Sequence, residues 1–273
     1  MSPRASRSPA HASAHHLRDS RVWRGLARGG FAVNGLLHIL IGFIALGLIA
    51  PGGGGGDADP SGALQGLAST PFGGILIWVV ALGLAALGLW LIVDGILDRP
   101  ADDTARHVGI AVAKGLTYLA LAATAVRIAL GGSSSSSGDA QSATATLLQA
   151  PAGVILVVIA GLVVLGIGVY FIAKGIKRDF LDDITTPRGT VGRVVTALGI
   201  GGYIAKGIAL LALGVLVISA AVASDSARST GLDGALRSLL ELPFGAAVLF
   251  VVALGLIAYG VYCVARARYA RLD

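Results

Sequence analysis

Long apolar runs alternate with short polar segments along most of the chain. Three runs contain no charged residue: Phe72 to Val93, Ala152 to Ala173 and Phe244 to Ala265. Three more are similarly apolar but carry isolated polar residues: Phe31 to Ala50, Gly109 to Leu130 and Val195 to Val222. Each run reaches the roughly 20 apolar residues that a helix needs to cross a bilayer core. The pattern predicts an all-α integral membrane protein with six transmembrane helices.

The six predicted helices are three copies of one two-helix unit. Aligned on Gly35, Gly115 and Gly207, every copy has a proline after the same number of positions: Pro71, Pro151 and Pro243. Each proline is followed two residues later by glycine, and further on by a second glycine and an aromatic residue: Gly88 and Trp90, Gly168 and Tyr170, Gly260 and Tyr262. Such registration predicts three tandem helical hairpins, at 30–98, 109–178 and 195–267, arranged with pseudo-threefold symmetry about the membrane normal.

The shared positions of the repeat have structural interpretations. Proline is tolerated in the first turn of a helix, so it is predicted to begin the second helix of each hairpin. The segments before the prolines, at 63–67, 143–147 and 235–239, are predicted to form short interfacial helices. The aromatic residue near the end of each unit is predicted to anchor its helix among lipid headgroups.

Basic residues are concentrated on one side of the predicted membrane. They lie in segment 1–29, in the connections 96–108 and 174–194, and at the C-terminus, whereas the opposite connections contain only Arg228 and Arg237. By the positive-inside rule both termini are predicted to be cytoplasmic. Residues 1–29 are predicted to be a disordered basic tail, and 268–273 a cytoplasmic C-terminal tail.

Composition narrows the class of protein. A hydrophobic content of 55%, a charged content of 13% and a mean hydropathy of +0.81 exclude a soluble surface. The net charge of +6 does not indicate nucleic-acid binding, because the basic residues flank the apolar runs. Cys263 is the single cysteine, so an intramolecular disulfide is excluded. Neither His11, His15 and His16 nor Asp182 and Asp183 indicate a defined metal site, and no metal or cofactor is expected.

The three G…P-x-G…G-x-aromatic units resemble a bacterial membrane-protein family known as domain of unknown function 1206. The resemblance covers about residues 25–267 and implies six membrane helices in three two-helix repeats, located in the bacterial cell (inner) membrane. It implies no activity, substrate or cofactor. The sequence departs from its own repeat at Asn34, where the other copies have lysine, and at Val163, where they have Gly83 and Gly255. Exact threefold symmetry is therefore not expected.

A few polar residues within the spans are candidates for function. Asn34, Lys114 and Lys206 share one repeat position, and burying a charge in a membrane costs about 3 kcal/mol or more. The lysines either reach back to the cytoplasmic interface, which the sequence favours, or line a cytoplasm-facing vestibule with Asp94 as counter-ion, binding an anion or lipid headgroup. His38, one turn beyond Asn34, is either a proton carrier or, as favoured here, a helix-packing residue.

The sequence contains no HExxH, P-loop or GxSxG motif and no intramembrane acid pair, so enzyme activity is not expected. It favours a non-enzymatic bundle that organises lipid or partner proteins. A small-solute or anion channel or transporter, with a vestibule lined by the odd-numbered spans, is the alternative. The expected partners are membrane lipid and either another protein or further copies of the chain.

Overall fold

The computed structural model describes residues 21–52, 56–97 and 104–271. The described part contains nine α-helices: α1 (Arg21–Gly47), α2 (Pro60–Ala68), α3 (Gly73–Leu97), α4 (Thr104–Ala129), α5 (Ser136–Gln149), α6 (Gly153–Lys177), α7 (Gly189–Val222), α8 (Gly231–Ser238) and α9 (Gly245–Tyr269). Residues 21–29 are helical in α1, so the prediction of a disordered tail over 1–29 is wrong for this part, and the predicted C-terminal tail 268–273 begins inside α9. The predictions made for 1–20, including His11, His15 and His16, and for 272–273 lie outside the described residues.

Six of these helices, α1, α3, α4, α6, α7 and α9, are long and apolar enough to cross a membrane. The prediction of an all-α protein with six transmembrane helices is confirmed. Aliphatic side chains dominate these helices, and the outward-facing ones are widely exposed, as a lipid-facing surface requires. We call the side on which α1 begins and α9 ends the terminal side, and the opposite side the far side.

The closest helix pairs join one repeat to the next: α3 with α4, α6 with α7, and α9 with α1. Two repeat glycines face each other at each crossing: Gly88 and Gly115, Gly168 and Gly207, Gly260 and Gly35. A Cβ atom on Gly207 would stand 2.7 Å from the carbonyl oxygen of Gly168, and one on Gly35 would stand 2.6 Å from that of Gly260. Glycine therefore lets the backbones of consecutive repeats touch, which is how small residues hold membrane helices together.

The two spans within a repeat pack differently from copy to copy. In the first and third repeats the two spans, α1 with α3 and α7 with α9, pack against each other, but α4 and α6 of the second repeat do so far less. The six spans follow one another in the order α4, α3, α1, α9, α7, α6, with an opening between α4 and α6 that we call the seam. The predicted set of three like hairpins is therefore not confirmed.

The seam has a steric cause in the sequence. In the first repeat Gly30 of α1 lies against α3, where an added Cβ would stand 2.7 Å from the carbonyl oxygen of Gly83. In the third repeat Gly202 of α7 lies as closely against Tyr259 of α9. The second repeat has Ile110 at this position, and its side chain is 45% exposed. A branched side chain holds apart the two backbones that glycine brings together.

The opposite wall of the seam carries a matching change. Gly83 in α3 and Gly255 in α9 occupy one repeat position, and both lie against the partner span of their own repeat. At this position α6 has Val163, which is 56% exposed. Both sides of the within-repeat contact have therefore lost their glycine in the second repeat, and only there.

The proline motif forms a tight turn before each second span. The spans α3, α6 and α9 begin at Gly73, Gly153 and Gly245, two residues after the proline, so the prediction that proline begins the helix is wrong. An added Cβ at each of these glycines would collide with a carbonyl oxygen at the end of the preceding short helix. In the second and third turns the residue between proline and glycine has a left-handed backbone, with φ of 61° at Ala152 and 60° at Phe244. The motif therefore joins the short helix to the span by direct backbone packing.

The segments predicted as short helices lie within α2, α5 and α8, except that Leu239 begins a 3-10 turn directly after α8. Their apolar residues enter the main core: Leu64 of α2 and Leu236 of α8 are completely buried, together with Leu84 and Leu249 of the spans. The short helices α2 and α8 therefore cover the far side of the bundle instead of lying only on its surface.

Candidate functional site

The three residues of the polar repeat position lie directly before the crossing glycines, in α1, α4 and α7, and have different surroundings. Asn34 is 4% exposed, and its amide nitrogen donates a hydrogen bond to the sulfur of Cys263 at 3.6 Å. Asn34 thus links α1 to α9 through a neutral side chain, whereas the other two repeats have a lysine at this position.

Lys206 is held inside the bundle. Its ammonium donates a hydrogen bond to the hydroxyl oxygen of Tyr259 at 3.3 Å, and it lies 4.4 Å from the ring centre of Tyr259 and 4.9 Å from that of Phe171. Two aromatic faces and one hydroxyl group stabilise the cation where water is scarce.

Lys114, its equivalent in α4, has no such enclosure. It is exposed on the helix that borders the seam. Its ammonium is within electrostatic range of Lys174, Lys206 and Arg266, and of the carboxylate of Asp183. Lys174 belongs to α6, so charges from the two helices that border the seam act on each other at its terminal-side end.

A carboxylate from the connection after α6 partly neutralises this centre. Asp183 contacts the ammonium of Lys174 at 2.9 Å and the guanidinium of Arg266 at 3.4 Å. The Arg266 guanidinium also lies over the ring of Phe31 at 4.5 Å, and its Nε is a buried donor without a hydrogen-bond partner among the described residues. Asp183 therefore acts as a counter-ion to Lys174 and Arg266. The role of Asp94 as counter-ion stays a prediction; Asp94 is half-buried at the equivalent position of α3.

Asp183 is positioned by a connection that folds back over the terminal side. Phe180 is completely buried, and its ring stacks on Tyr203 with centroids 5.3 Å apart. The backbone N–H of Thr185 donates to the carbonyl of Tyr269 at 2.8 Å, which ties this connection to the end of α9. No local signal in the sequence indicated that the segment with Asp182 and Asp183 folds into the bundle.

The predicted headgroup anchors behave differently in the three repeats. Tyr262 is completely buried and donates a hydrogen bond from its hydroxyl to the carbonyl of Phe180 at 3.0 Å. Trp90 is also buried and packs edge-on against Phe31, 5.9 Å between centroids. For these two the anchoring prediction is wrong, because neighbouring spans and the folded-back connection cover them. Tyr170 lies in α6, which borders the seam, and is 52% exposed. Its role as a headgroup anchor stays a prediction.

His38 has the contacts of a packing residue. Its Nδ1 lies 2.9 Å from the carbonyl oxygen of Asn34, one turn earlier in the same helix, and its ring is 4.7 Å from that of Tyr259. The histidine therefore joins α1 to α9 near Lys206. Within the described ranges, no three histidine, cysteine or acidic side chains come together as metal ligands.

The fold and this basic centre define a class: a multi-span α-helical membrane protein of three repeats, with cations gathered at the terminal-side end of an open seam. A family model described as Domain of Unknown Function (DUF1206) matches the chain three times, over residues 29–98, 110–178 and 201–270. The chain belongs to this family.

A curated relative has the same extent. The chain is 28% identical over 262 residues to a protein of Bacillus subtilis (strain 168) named Uncharacterized protein YxxB, and the match covers 93% of this chain and 94% of the relative. No solved structure matches the chain. These comparisons support a bacterial membrane protein and show no specific activity.

Proposed function

We propose that this protein is a non-enzymatic lipid-binding bundle of the bacterial cell membrane, which holds one anionic phospholipid in the seam between α4 and α6. The acyl chains lie along the seam, and the phosphate contacts Lys114 and Lys174. The terminal side is the cytoplasmic side, as the positive-inside rule indicates.

The observation that carries this proposal is the seam itself. Exposed aliphatic side chains, Ile110 and Val163, stand where the other repeats have glycine in the within-repeat contact, and α4 and α6 do not pack together as their repeat equivalents do. In a membrane such a space is filled by acyl chains, which pack against exposed aliphatic side chains.

The charges at the terminal-side end select the headgroup. Lys114 of α4 and Lys174 of α6 border this end of the seam, Lys206 and Arg266 act electrostatically on Lys114 as well, and Asp183 is a contacting acid. A basic residue near an anionic lipid surface contributes about 1 kcal/mol. The unpartnered Nε of Arg266 adds an unused donor to the same region. A phosphodiester without a cationic group, as in phosphatidylglycerol, therefore fits better than a zwitterionic headgroup.

Two alternatives are less well supported. A solute pathway along the bundle axis would pass Lys206, where the side chains of Phe171, Tyr203 and Tyr259 pack closely together. A second copy docked seam to seam would bring two basic centres together, and their repulsion disfavours that contact.

The test compares lipid retention by native mass spectrometry, after reconstitution in an equal mixture of phosphatidylglycerol and phosphatidylcholine. The wild type is expected to retain phosphatidylglycerol preferentially, and K114Q/K174Q to lose about fivefold or more of that preference, equal to ~1 kcal/mol. Lys177→Gln is the matched control: it removes an exposed charge from the same helix end and is expected to change little.

Unselective retention by the wild type, or equal losses in the double variant and in Lys177→Gln, would contradict the proposal. The channel alternative is tested in parallel by anion flux into proteoliposomes. Robust uptake that depends on Lys114 and Lys206 would replace lipid binding by transport as the function.

A further inference from the structure

The three far-side connections hydrogen-bond to one another. The second connection bonds to the first: the backbone N–H of Ser136 donates to the hydroxyl oxygen of Ser61 at 2.9 Å. The first connection bonds to the third: the backbone N–H of Ala58 donates to the carboxylate of Asp233 at 2.8 Å. The second and third are joined by Thr144, whose hydroxyl donates to that of Ser229 at 2.8 Å. One segment of each repeat thus contributes to a single polar cap.

A pocket of about 540 Å³ lies where these connections meet. All three repeats line it: Asp57 from the first, Ser137 from the second, and Thr230, Asp233 and Glu241 from the third. Its volume is in the range of small-molecule sites. None of its lining residues belongs to the basic centre, which lies on the opposite side of the bundle.

Three hydroxyl groups that line this pocket donate their protons to the backbone. Ser137 donates to the carbonyl of Thr230 at 2.7 Å, Ser219 to that of Leu216 at 2.8 Å, and Ser238 to that of Ala235 at 2.8 Å. A hydroxyl that donates to the backbone keeps its lone pairs for another partner. These serines therefore offer acceptors to a ligand.

The two arginines that line the pocket are paired with acids of their own segment. Arg237 contacts Asp233 through its Nε, at 2.6 Å, and Arg228 contacts Asp225 at 3.4 Å. The lining acids Asp57 and Glu241 add further acceptors. Beside Asp57, Asp59 is completely buried, and its Oδ2 has no hydrogen-bond partner in the described part of the chain.

The electrostatics around Asp57 agree with this excess of acceptors. Burial, and then the negative charges of Asp59 and Asp233, raise the pKa of Asp57, with Arg237 acting in the opposite direction. The uncompensated potential at this wall of the pocket is therefore negative, and a cation placed there would relieve it.

The cavity is lined by carboxylates and by serine hydroxyls that already donate to the backbone. We infer that this far-side pocket binds a small organic cation with several N–H donors, of the alkyl diamine or polyamine class. Each ammonium group supplies three donors to a site that offers carboxylate and hydroxyl acceptors. With the terminal side cytoplasmic, the ligand is taken from outside the cell membrane. The site is independent of the lipid seam.

The test is isothermal titration of putrescine, and separately of spermidine, into the protein in phosphatidylcholine nanodiscs, whose zwitterionic lipid does not concentrate amines. Saturable binding with one site per chain is expected. Asp57→Asn and Glu241→Gln are each expected to weaken it about tenfold. Asp139→Asn removes an exposed far-side acid outside the pocket lining and is expected to change affinity less than about twofold.

Three outcomes would overturn the inference. One is the absence of saturable amine binding up to about 10 mM, the weak end of specific affinity. Another is an equal loss in Asp139→Asn and Asp57→Asn, which would mean general surface attraction. The third is binding of the neutral polyol myo-inositol by both the wild type and the Asp57→Asn variant, which would assign the pocket to sugars. A melting curve of each variant confirms that the cap is folded, so a loss of binding reports on the pocket.

Discussion

The second repeat differs from the first and third at one interface and matches them at another. Between repeats, all three crossings keep a pair of facing glycines, and the helices touch. Within repeats, glycine remains at Gly30 and Gly202 but is replaced by Ile110 in the second copy, where the helices part. One repeated sequence thus produces three tight crossings between repeats and one seam within a repeat. The seam goes with two substitutions of glycine, by Ile110 and Val163.

This contrast separates what the repeat needs for folding from what one copy has gained. The three equal crossings hold the bundle together, so their glycines are constrained in every copy. The within-repeat contact is formed twice, and the remaining neighbours hold the bundle without the third. A position that does not pack against another helix in one repeat is available to a ligand. The basic residues beside the seam favour an anionic ligand there.

The largest expected effect comes from a between-repeat crossing. Gly168→Val places a branched side chain against the backbone of Gly207 and should lower the free energy of unfolding by about 1–3 kcal/mol. Gly166→Val, two residues away in the same helix, is the control, because an added Cβ there meets nothing within 4 Å. Thermal unfolding in detergent measures both variants. Equal melting temperatures would contradict the role of the crossing.

The next effect comes from closing the seam. The double variant Ile110→Gly and Val163→Gly restores the residues of the other repeats, so α4 and α6 should approach and lipid retention should fall about fivefold, ~1 kcal/mol. The double variant Leu116→Gly and Val169→Gly removes equally exposed side chains six residues further along each helix. If both double variants reduce phosphatidylglycerol retention alike, Ile110 and Val163 do not define the seam.

A smaller effect distinguishes the aromatic positions. Tyr262→Phe removes the hydrogen bond to the carbonyl of Phe180 and should cost about 1 kcal/mol of stability. Tyr170→Phe alters the exposed equivalent in the second repeat and should leave the melting temperature unchanged. Equal losses in the two variants would show that Tyr262 does not depend on its buried partner.

The smallest effect concerns the far-side cap, to which all three repeats contribute. Because burial and two neighbouring acids raise the pKa of Asp57 in the folded state, its contribution to stability is greatest below the unfolded pKa and is lost as the pH rises through the raised value. Asp57→Asn should therefore melt slightly higher than the wild type at pH 7. The gain should disappear near pH 4, close to the ordinary aspartate pKa. A difference that is independent of pH would assign the effect to packing.

The six spans and the repeat were predictable because long apolar runs and regularly spaced glycines depend only on local sequence. Val163 was recognised as a departure from the repeat, but its consequence was not. The seam depends on which helix faces it, and the sequence does not say that consecutive repeats pack more tightly than the two spans of one hairpin. Ile110 was the missing signal, since it replaces glycine at the facing position.

The candidate site was predictable only as a set of residue positions. The repeat brought Lys114, Lys206 and Asn34 to attention, and the structure surrounds each differently because their neighbours are not repeated: Tyr259, Cys263 and Phe171 occupy positions that differ in the other copies. Asp183 could not be found in this way, because it reaches the cations through a connection that folds back over the bundle. Long-range contacts of this kind leave no periodic pattern.

A density map of the protein in nanodiscs that contain phosphatidylglycerol tests directly whether a lipid occupies the seam. We expect α4 and α6 to stay apart, with elongated density between Ile110 and Val163 that ends in a headgroup at Lys114 and Lys174. Helices α4 and α6 packed together as closely as α1 and α3, with no density between them, would contradict it.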